Sequence, residues 1–412
     1  MKVEAEIPRL KKITIDVDEE STVGQLKKKL CEELSLEHSL TTILHGGKPI
    51  PEGEQLKNLP EGKLKFELDY LWSRQTLIWG LEGQKLLREA KVFIAGAGAL
   101  GNETAKNLAL MGVGRITIAD HDTVETSNLS RCVFFDRNDV GGFKASTLAQ
   151  KLEKKFPYVE FKAYNMRVEE VPDEEILTSN VLISGLDNLA SRAYMTSLAN
   201  RYNIPLVDGG MAGNLCRIQS FTPGQSPCPI CMIPVLDYGQ LTGLRNPCSA
   251  PLEEATTPSL MTATSLVSAV QSSEAVKLIL MGDKNLREKL SIHPLEGVLI
   301  IDLQFNRFSL MPLKKNPNCF ICGVRGIAKD HVRVFELNFN GQPVPYRLLI
   351  EKIKEILETV EEPHLYERKN GGYINLVKNQ IRGEKRINTG SYIHVIFKNK
   401  SDQYKEAIIK LM

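Results

Sequence analysis

Four of the eight cysteines stand in two Cys-x-x-Cys pairs, Cys228-Pro-Ile-Cys231 and Cys319-Phe-Ile-Cys322. Four thiolates from two such knuckles suit a tetrahedral Zn²⁺. Each pair follows a turn-forming proline and neither opens a thioredoxin-like helix, so the expected metal is structural; the alternative is two independent redox or buried pairs. A second cluster begins at residues 91–101, Lys-Val-Phe-Ile-Ala-Gly-Ala-Gly-Ala-Leu-Gly, an apolar run leading into Gly96-x-Gly98-x-x-Gly101. Such glycines permit a tight turn and close approach of backbone N–H groups to phosphates at a helix N-terminus. Asp120 stands where an acid would hold ribose hydroxyls, about 20 residues past the glycines. The turn alone fits dehydrogenases and flavoproteins equally well. Arg131, Lys144 and Asp187-Asn188 with Arg192 separate the readings, because adenylyl transfer needs cations over a triphosphate and a carboxylate for Mg²⁺. Hydride transfer has no need of them there.

Cys248 is the remaining candidate for chemistry, in Leu244-Arg245-Asn246-Pro247-Cys248-Ser249-Ala250-Pro251, upstream of Thr256-Thr257-Pro258 and a long helix. An adjacent arginine and a nearby helix N-terminus can lower a thiol's pKa. An inert, partly buried cysteine is the competing reading. Cys31 reads as helix core, Cys216 as part of an apolar strand, and Cys132, beside Arg131, as a weaker rival nucleophile.

These residues need elements to position them. The chain has 412 residues, 42% hydrophobic and 25% charged, with net charge +2. That length suggests two to four domains. The charge balance gives no case for nucleic acid or an anionic membrane as a main partner. Absence of an apolar signal region and of any membrane-length apolar run leads to the expectation of a cytoplasmic protein. Residues 1–69 read strand, strand, helix (Thr22–Leu34), strand, strand, with Gly46-Gly47 as a turn, the order of a β-grasp domain. From 70 to 329 strands and helices alternate, which predicts an α/β, doubly wound, mostly parallel sheet with ligands beyond the carboxyl ends of its strands. Residues 330–412 change character and form a separate α+β module, with a helix near Tyr346–Leu357.

Several ordered motifs then carry a resemblance. They are Ser73-Arg74-Gln75, Trp79-Gly80-Leu-Glu82-Gly-Gln84, the glycine turn, Asp120-x-Asp122-x-Val124, Ser127-Asn128-Leu129-x-Arg131, Gly142-x-Lys144 and Gly185-Leu-Asp187-Asn188. Over roughly residues 70–325 the chain resembles the adenylation domain of ubiquitin-activating enzymes, shared with the activators of sulfur carriers in molybdopterin and thiamine synthesis. Ser-Arg-Gln followed by Trp-Gly-Leu-Glu is closer to the eukaryotic branch. The resemblance implies ATP and Mg²⁺, with Arg74 reaching the phosphates, in cis or from a partner subunit, and Asp120 on ribose. Asn128, Arg131 and Lys144 would contact the phosphates and Asp187 would hold Mg²⁺. Its zinc ligands fall on Cys228, Cys231, Cys319 and Cys322, and its thioester cysteine on Cys248. Many members have Gln where this chain has Cys132. The first segment resembles ubiquitin-like and sulfur-carrier domains but runs on at Leu68-Asp69-Tyr70 without a terminal Gly-Gly, so docking or regulation is the expected role. Residues 330–412 resemble, by order and place, the ubiquitin-fold domain that recruits a conjugating enzyme. The implied function is activation of a ubiquitin-like modifier by adenylation, thioester formation on Cys248 and transfer to a conjugating enzyme, in a homodimer. The alternatives are a sulfur-carrier adenylyltransferase without a thioester step and a non-catalytic docking subunit; retention of Arg74, Lys144 and Asp187 argues against the latter.

Overall fold

The computed structural model describes residues 2–59, 65–232, 258–324, 326, 328, 331–359, 361–369, 372–376, 386–398 and 404–412. The chain divides into two compact units, Met1–Glu89 with Leu110–Gly114 and Ile279–Ile292, and Ala90–Ala109 with Arg115–Leu278 and His293–Met412.

In the first unit β1 (Lys2–Ile7), β2 (Lys11–Asp16), α1 (Val23–Leu34), β3 (Thr41–His45), β4 (Lys48–Pro49) and β5 (Lys65–Tyr70) build a sheet in the order β2-β1-β5-β3-β4. β1 runs parallel to β5, the β-grasp arrangement expected from the element order. Alternation in β1 buries Val3, Ala5 and Ile7, and helical spacing in α1 buries Val23, Leu26, Leu30 and Leu34 against them. A capping box starts the helix: Gln25 N–H donates to Thr22 Oγ1 at 3.3 Å and Thr22 N–H to Gln25 Oε1 at 2.8 Å. Gly46 (φ 57°) and Gly47 (φ 74°) supply two successive left-handed residues for the β3–β4 hairpin.

The β-grasp sheet is joined to α2 (Thr76–Glu89) by side chains from both. Arg88 Nε donates to Glu37 Oε1 at 2.6 Å, its guanidinium lies 5.2 Å from the Trp72 ring centroid, and Tyr70 meets Trp72 edge-on. Tyr70 Oη completes the cluster by donating to Glu37 Oε2 at 2.8 Å.

The second unit is built on an eight-stranded sheet of β6 (Lys91–Ala95), β7 (Arg115–Ala119), β8 (Glu160–Tyr164), β9 (Val181–Ser184), β10 (Leu206–Ala212), β11 (Leu215–Phe221), β12 (Val298–Asp302) and β13 (Arg307–Met311). Its order is β13-β12-β11-β10-β9-β6-β7-β8. Strands β6 to β10 are mutually parallel, and β11 to β13 extend them as an antiparallel meander. The chain moves from β6 outward through β7 to β8, then returns to the other side of β6 for β9. The switch point of this doubly wound sheet therefore lies between β6 and β9. Burial of all of β9 and of Val92, Phe93, Ile94 and Ala95 matches strands covered on both faces. The sheet is connected through α3 (Ala99–Leu110), α4 (Lys144–Lys155), α5 (Asp173–Leu177), α6 (Leu189–Tyr202) and α7 (Met261–Leu280); α8 (Lys284–Leu290) follows in sequence and belongs to the first unit. Helix α3 starts at Ala99, so Gly101 lies in its first turn.

The same unit holds β14 (Arg333–Leu337), β15 (Val344–Pro345), α9 (Tyr346–Leu357), β16 (His364–Lys369), β17 (Gly372–Asn375), β18 (Arg386–Ile387), β19 (Tyr392–Lys398) and β20 (Tyr404–Leu411). Their five-stranded sheet has the order β14-β20-β19-β16-β17, with first and last strands parallel as in the N-terminal sheet. Leu349, Ile353, Leu365, Val395 and Ile409 fill its own core. This module is also bonded to the parallel-sheet region: His394 Nε2 meets Asp173 Oδ2 at 2.5 Å, and Val332 N–H donates to the Arg201 carbonyl at 2.7 Å. No helix among the described residues is long and apolar enough to cross a membrane.

Candidate active site

The glycine turn leaves the carboxyl end of β6 and is shaped by its neighbours. Gly96 has φ +100°, and a Cβ there would sit 3.0 Å from the Gly185 carbonyl oxygen. A Cβ at Gly101 would lie 1.9 Å from the Gly96 oxygen, so only glycine lets helix α3 start this close to the strand. Gly98 faces open space, as a backbone surface that receives phosphate requires. Asn102, fully buried, braces the turn by donating from Nδ2 to the Ala97 carbonyl at 3.2 Å and accepting the Phe134 N–H at 3.0 Å. The sequence signal for Asn102 is an amide one residue past the last glycine.

Asp120 ties this turn to the segment after β7. Its Oδ2 accepts the Ala97 N–H at 2.7 Å and its Oδ1 accepts the Asp122 N–H at 2.8 Å. Burial raises its pKa above the ordinary carboxylate value, against the lowering by those two N–H groups. Asp122 shows the opposite net shift. Burial raises it, but the hydrogen bond and charge of Lys144, at 2.9 Å, outweigh that and hold it low. Lys144 begins α4 with its side chain 12% exposed; burial favours its neutral form, and Asp122 and Asp120 together raise its pKa instead. With His121 beside them, Asp120 and Asp122 also form a group of potential metal ligands.

Asn128 is buried and accepts the Glu125 N–H at 2.9 Å, while Arg131 donates from Nη1 to the Ser127 carbonyl at 2.7 Å. Gly185 N–H donates to the Ala95 carbonyl at 3.0 Å, which brings the end of β9 against the glycine turn two residues before Asp187. Asp187 is exposed, and Asn188 caps α6 by accepting the Ser191 N–H at 2.8 Å. The structure thus gathers Gly96, Gly98, Gly101, Asp120 and Lys144 into one bonded set at the switch point, with Asp187 on the adjoining loop.

Arg192, counted in the sequence among cations over a triphosphate, points elsewhere. Its guanidinium is engaged with Asp208, a buried acid within β10 that the sequence does not single out. Arg74 is exposed in the turn between β5 and α2 in the first unit. The neighbouring Gln75 is pinned by bonds from Nε2 to the Met111 carbonyl at 2.7 Å and to Gln84 Oε1 at 2.8 Å. Cys248 lies outside the described residues. Among the other thiols, burial pushes Cys132 up to about 11, with Arg131 and Lys144 only partly opposing it, and leaves that side chain inaccessible. It is poorly suited to be a nucleophile. Cys31 and Cys216 are buried in α1 and β11 as expected.

The two Cys-x-x-Cys pairs converge. Sγ of Cys228 lies 3.7 Å from that of Cys231 and 3.6 Å from that of Cys319, and Cys231 and Cys322 are 3.5 Å apart. A tetrahedron with Zn–S bonds of about 2.3 Å has edges of roughly 3.8 Å, so these separations fit one Zn²⁺ and are far too long for disulfides. Hydrogen bonding among the four thiols lowers Cys231 and Cys319 and raises Cys228 and Cys322, so without a metal the cluster shares protons rather than standing as four thiolates. The second knuckle depends on Gly323, where a Cβ would press to 2.5 Å from the Cys319 carbonyl oxygen. Ile230 and Ile321 carry the knuckles into a core with Tyr202, Ile204 and Phe221.

Known proteins are similar to this chain. The model of the ThiF family matches residues 72–321, and that of the ubiquitin family matches residues 5–63. The SAMP-activating enzyme E1 of Haloferax volcanii is 30% identical over 249 residues, covering 60% of this chain and 86% of that protein. The molybdopterin-synthase adenylyltransferase of Salmonella typhimurium is 26% identical over 261 residues, covering 61% and 95%. Ubiquitin-activating enzyme E1 1 of Arabidopsis thaliana is 36% identical over 162 residues, covering 37% and 15%. Among solved structures, E. coli MccB superposes with a TM-score of 0.50 at 20% identity, covering 63% of this chain and 74% of that one, a likeness of fold.

Proposed function

The chain belongs to the ThiF family, and from that membership we propose that it adenylates the C-terminal carboxylate of a ubiquitin-like protein at the crevice between β6 and β9. One observation carries the reading: Asp120 bonds the glycine turn on one side and the Asp122 segment, with its Lys144 ion pair, on the other. A ribose-binding acid, a phosphate-binding turn and a buried cation thereby share one bonded unit at the switch point of the sheet. The kinship with activating enzymes and adenylyltransferases supports the same chemistry.

In this reading the glycine turn and Asn128, Arg131 and Lys144 hold the triphosphate, Asp120 the ribose, and Arg74 joins the phosphates from its own or a second subunit. Asp187 would hold Mg²⁺, which neutralises phosphate charge. A carboxylate oxygen of the modifier attacks the α-phosphorus, the bond to the bridging oxygen breaks, and pyrophosphate leaves. The Cys248 thiol then loses its proton, attacks the acyl carbon and expels AMP, and the thioester passes to a conjugating enzyme docked on residues 330–412. The cysteine cluster holds Zn²⁺ as a staple. The protein works as a homodimer in the cytoplasm. Coverage of nearly the whole Salmonella adenylyltransferase favours a second reading, in which the reaction stops at the adenylate and a sulfur carrier is the substrate.

The test is ATP–pyrophosphate exchange with modifiers ending in Gly-Gly, followed by a non-reducing gel of wild type, Cys248→Ala and Asp187→Ala. Exchange lost in Asp187→Ala, with a thiol-labile adduct lost in Cys248→Ala, is the expected result. Full turnover by Cys248→Ala selects the sulfur-carrier reading, and absence of exchange with every modifier defeats adenylation.

A further inference from the structure

Arg192 lies one turn into α6 and folds back beneath its own helix N-terminus. Nη1 donates to both oxygens of Asp208, at 2.7 and 2.9 Å, while Nη2 donates to the Gly209 carbonyl at 3.0 Å and to the carbonyl of Leu186. Leu186 immediately precedes Asp187. The site is built for the guanidinium: a Cβ on Gly210 would come within 2.9 Å of Nη2, and Asp208 is 1% exposed. A second arginine, Arg217 of β11, reaches the same carboxylate at 3.2 Å. Arg217 Nη2 also donates, at 3.5 Å, to the carbonyl of Pro229, inside the first cysteine knuckle.

We propose that Arg192 is a positioning residue for the reaction, anchoring the Leu186–Asp187 backbone to the buried Asp208 so that the Asp187 carboxylate is held at the switch point for a divalent cation. The inference rests on the adenylation reading above. Asp187 is exposed, and the bond to it from Asn188 Nδ2 is long, at 3.4 Å. Its place is therefore set through the backbone, held before it by the Gly185 N–H on the Ala95 carbonyl and by Arg192 on the Leu186 carbonyl, and after it by the Asn188 cap of α6. One planar fork serves a carboxylate and two carbonyls at once. A lysine ammonium, with its compact charge and different geometry, cannot hold all of them in those directions.

Arg192→Lys tests this. The expected result is a rise of about tenfold in the Mg²⁺ concentration for half-maximal pyrophosphate exchange and a fall of about tenfold in kcat, with KM for ATP little changed at saturating Mg²⁺. Two readouts do not depend on turnover. Binding of a fluorescent ATP analogue in EDTA should match wild type within about twofold, while Mn²⁺ bound with that nucleotide, followed by electron paramagnetic resonance, should weaken about tenfold. Hydrogen exchange across residues 185–188 should quicken while β6 and β9 stay protected. Asp208→Asn, which keeps volume and one acceptor, should move the same quantities in the same direction by a smaller factor. An unchanged cation requirement in folded Arg192→Lys overturns the proposal, as does equal weakening of nucleotide with and without metal. If wild type shows no exchange with any modifier but binds Mn²⁺ with nucleotide in an Arg192-dependent way, the adenylation reading fails while the positioning role stands.

Discussion

The cysteine cluster and the nucleotide crevice are both sets of polar side chains gathered by one unit of this protein, yet they are completed in opposite ways. Four thiols of one kind face each other at 3.5–3.7 Å, a set that one metal ion would satisfy. In the crevice, Asp120 is occupied by backbone N–H groups, and Asp122 and Lys144 neutralise each other. The crevice is already satisfied before a ligand arrives, so a nucleotide must compete for Lys144. A set of like groups specifies its ligand by its own composition. A set of opposite charges specifies only a place, and its chemistry has to be inferred from what surrounds it.

The largest break in that comparison should come from the cluster. Cys319→Ser leaves three ligands and a mismatched fourth, and we expect a loss of about 4–5 kcal/mol of stability, together with loss of the one zinc per chain. Elemental analysis and chemical denaturation check it; a variant that keeps its zinc and its stability would show that the knuckles do not staple the fold. Asp187→Ala should act in the reverse manner, lowering pyrophosphate exchange by about 10²–10³-fold while shifting the melting midpoint little. If the two substitutions gave the same mixture of lost stability and lost exchange, the division between a structural and a chemical site would fall.

The contrast also explains what could be read in the sequence. The β-grasp order was legible because each element has its own local signal, from alternation in β1 to the Thr22–Gln25 capping box and the Gly46-Gly47 turn. The convergence of the four cysteines was legible from spacing. The glycine turn, Asp120 and Lys144 were legible as a motif order, but not their mutual bonds, since Ala97 and Asp120 are joined over 23 residues. Arg192 shows the limit most clearly: a basic residue in a sequence carries a charge but no direction, and nothing in the sequence joins it to Asp208, 16 residues on. Strand β13 carries no local signal for a physical reason as well. Every one of its residues is exposed, so it has no buried face to impose a period of two.

Gly101→Ala sharpens the comparison from the backbone side. Its added Cβ meets the Gly96 oxygen at 1.9 Å, so α3 must shift or the turn must open. We expect about 1–3 kcal/mol of destabilisation, with nucleotide affinity falling alongside it. Denaturant titration and nucleotide binding on one preparation check this, and unchanged binding would separate the turn from the nucleotide.

The smallest effect lies in the pH dependence, where Asp120 and Asp122 should oppose each other. Asp120 has a folded pKa raised above 3.8 by burial, so its contribution to stability is fully present below 3.8 and is lost as pH rises through the folded value. Asp122 is held below 3.8 against its burial by Lys144, so its contribution is present above 3.8 and lost as pH falls through the folded value. The two slopes have opposite signs, which makes the crevice less acid-sensitive than either residue alone. Denaturant titrations of wild type and Asp120→Asn from neutral pH down toward 4 separate them: wild type should gain on the variant as pH falls. Nucleotide affinity should move the other way, weakening in wild type as Asp120 takes up a proton and ceases to accept the ribose hydroxyl. A variant that tracked wild type in stability across that range would mean that the burial of Asp120 is fully compensated by Ala97 and Asp122. The crevice would then resemble the cysteine cluster in being complete in itself, and the distinction between the two sites would rest on their ligands alone.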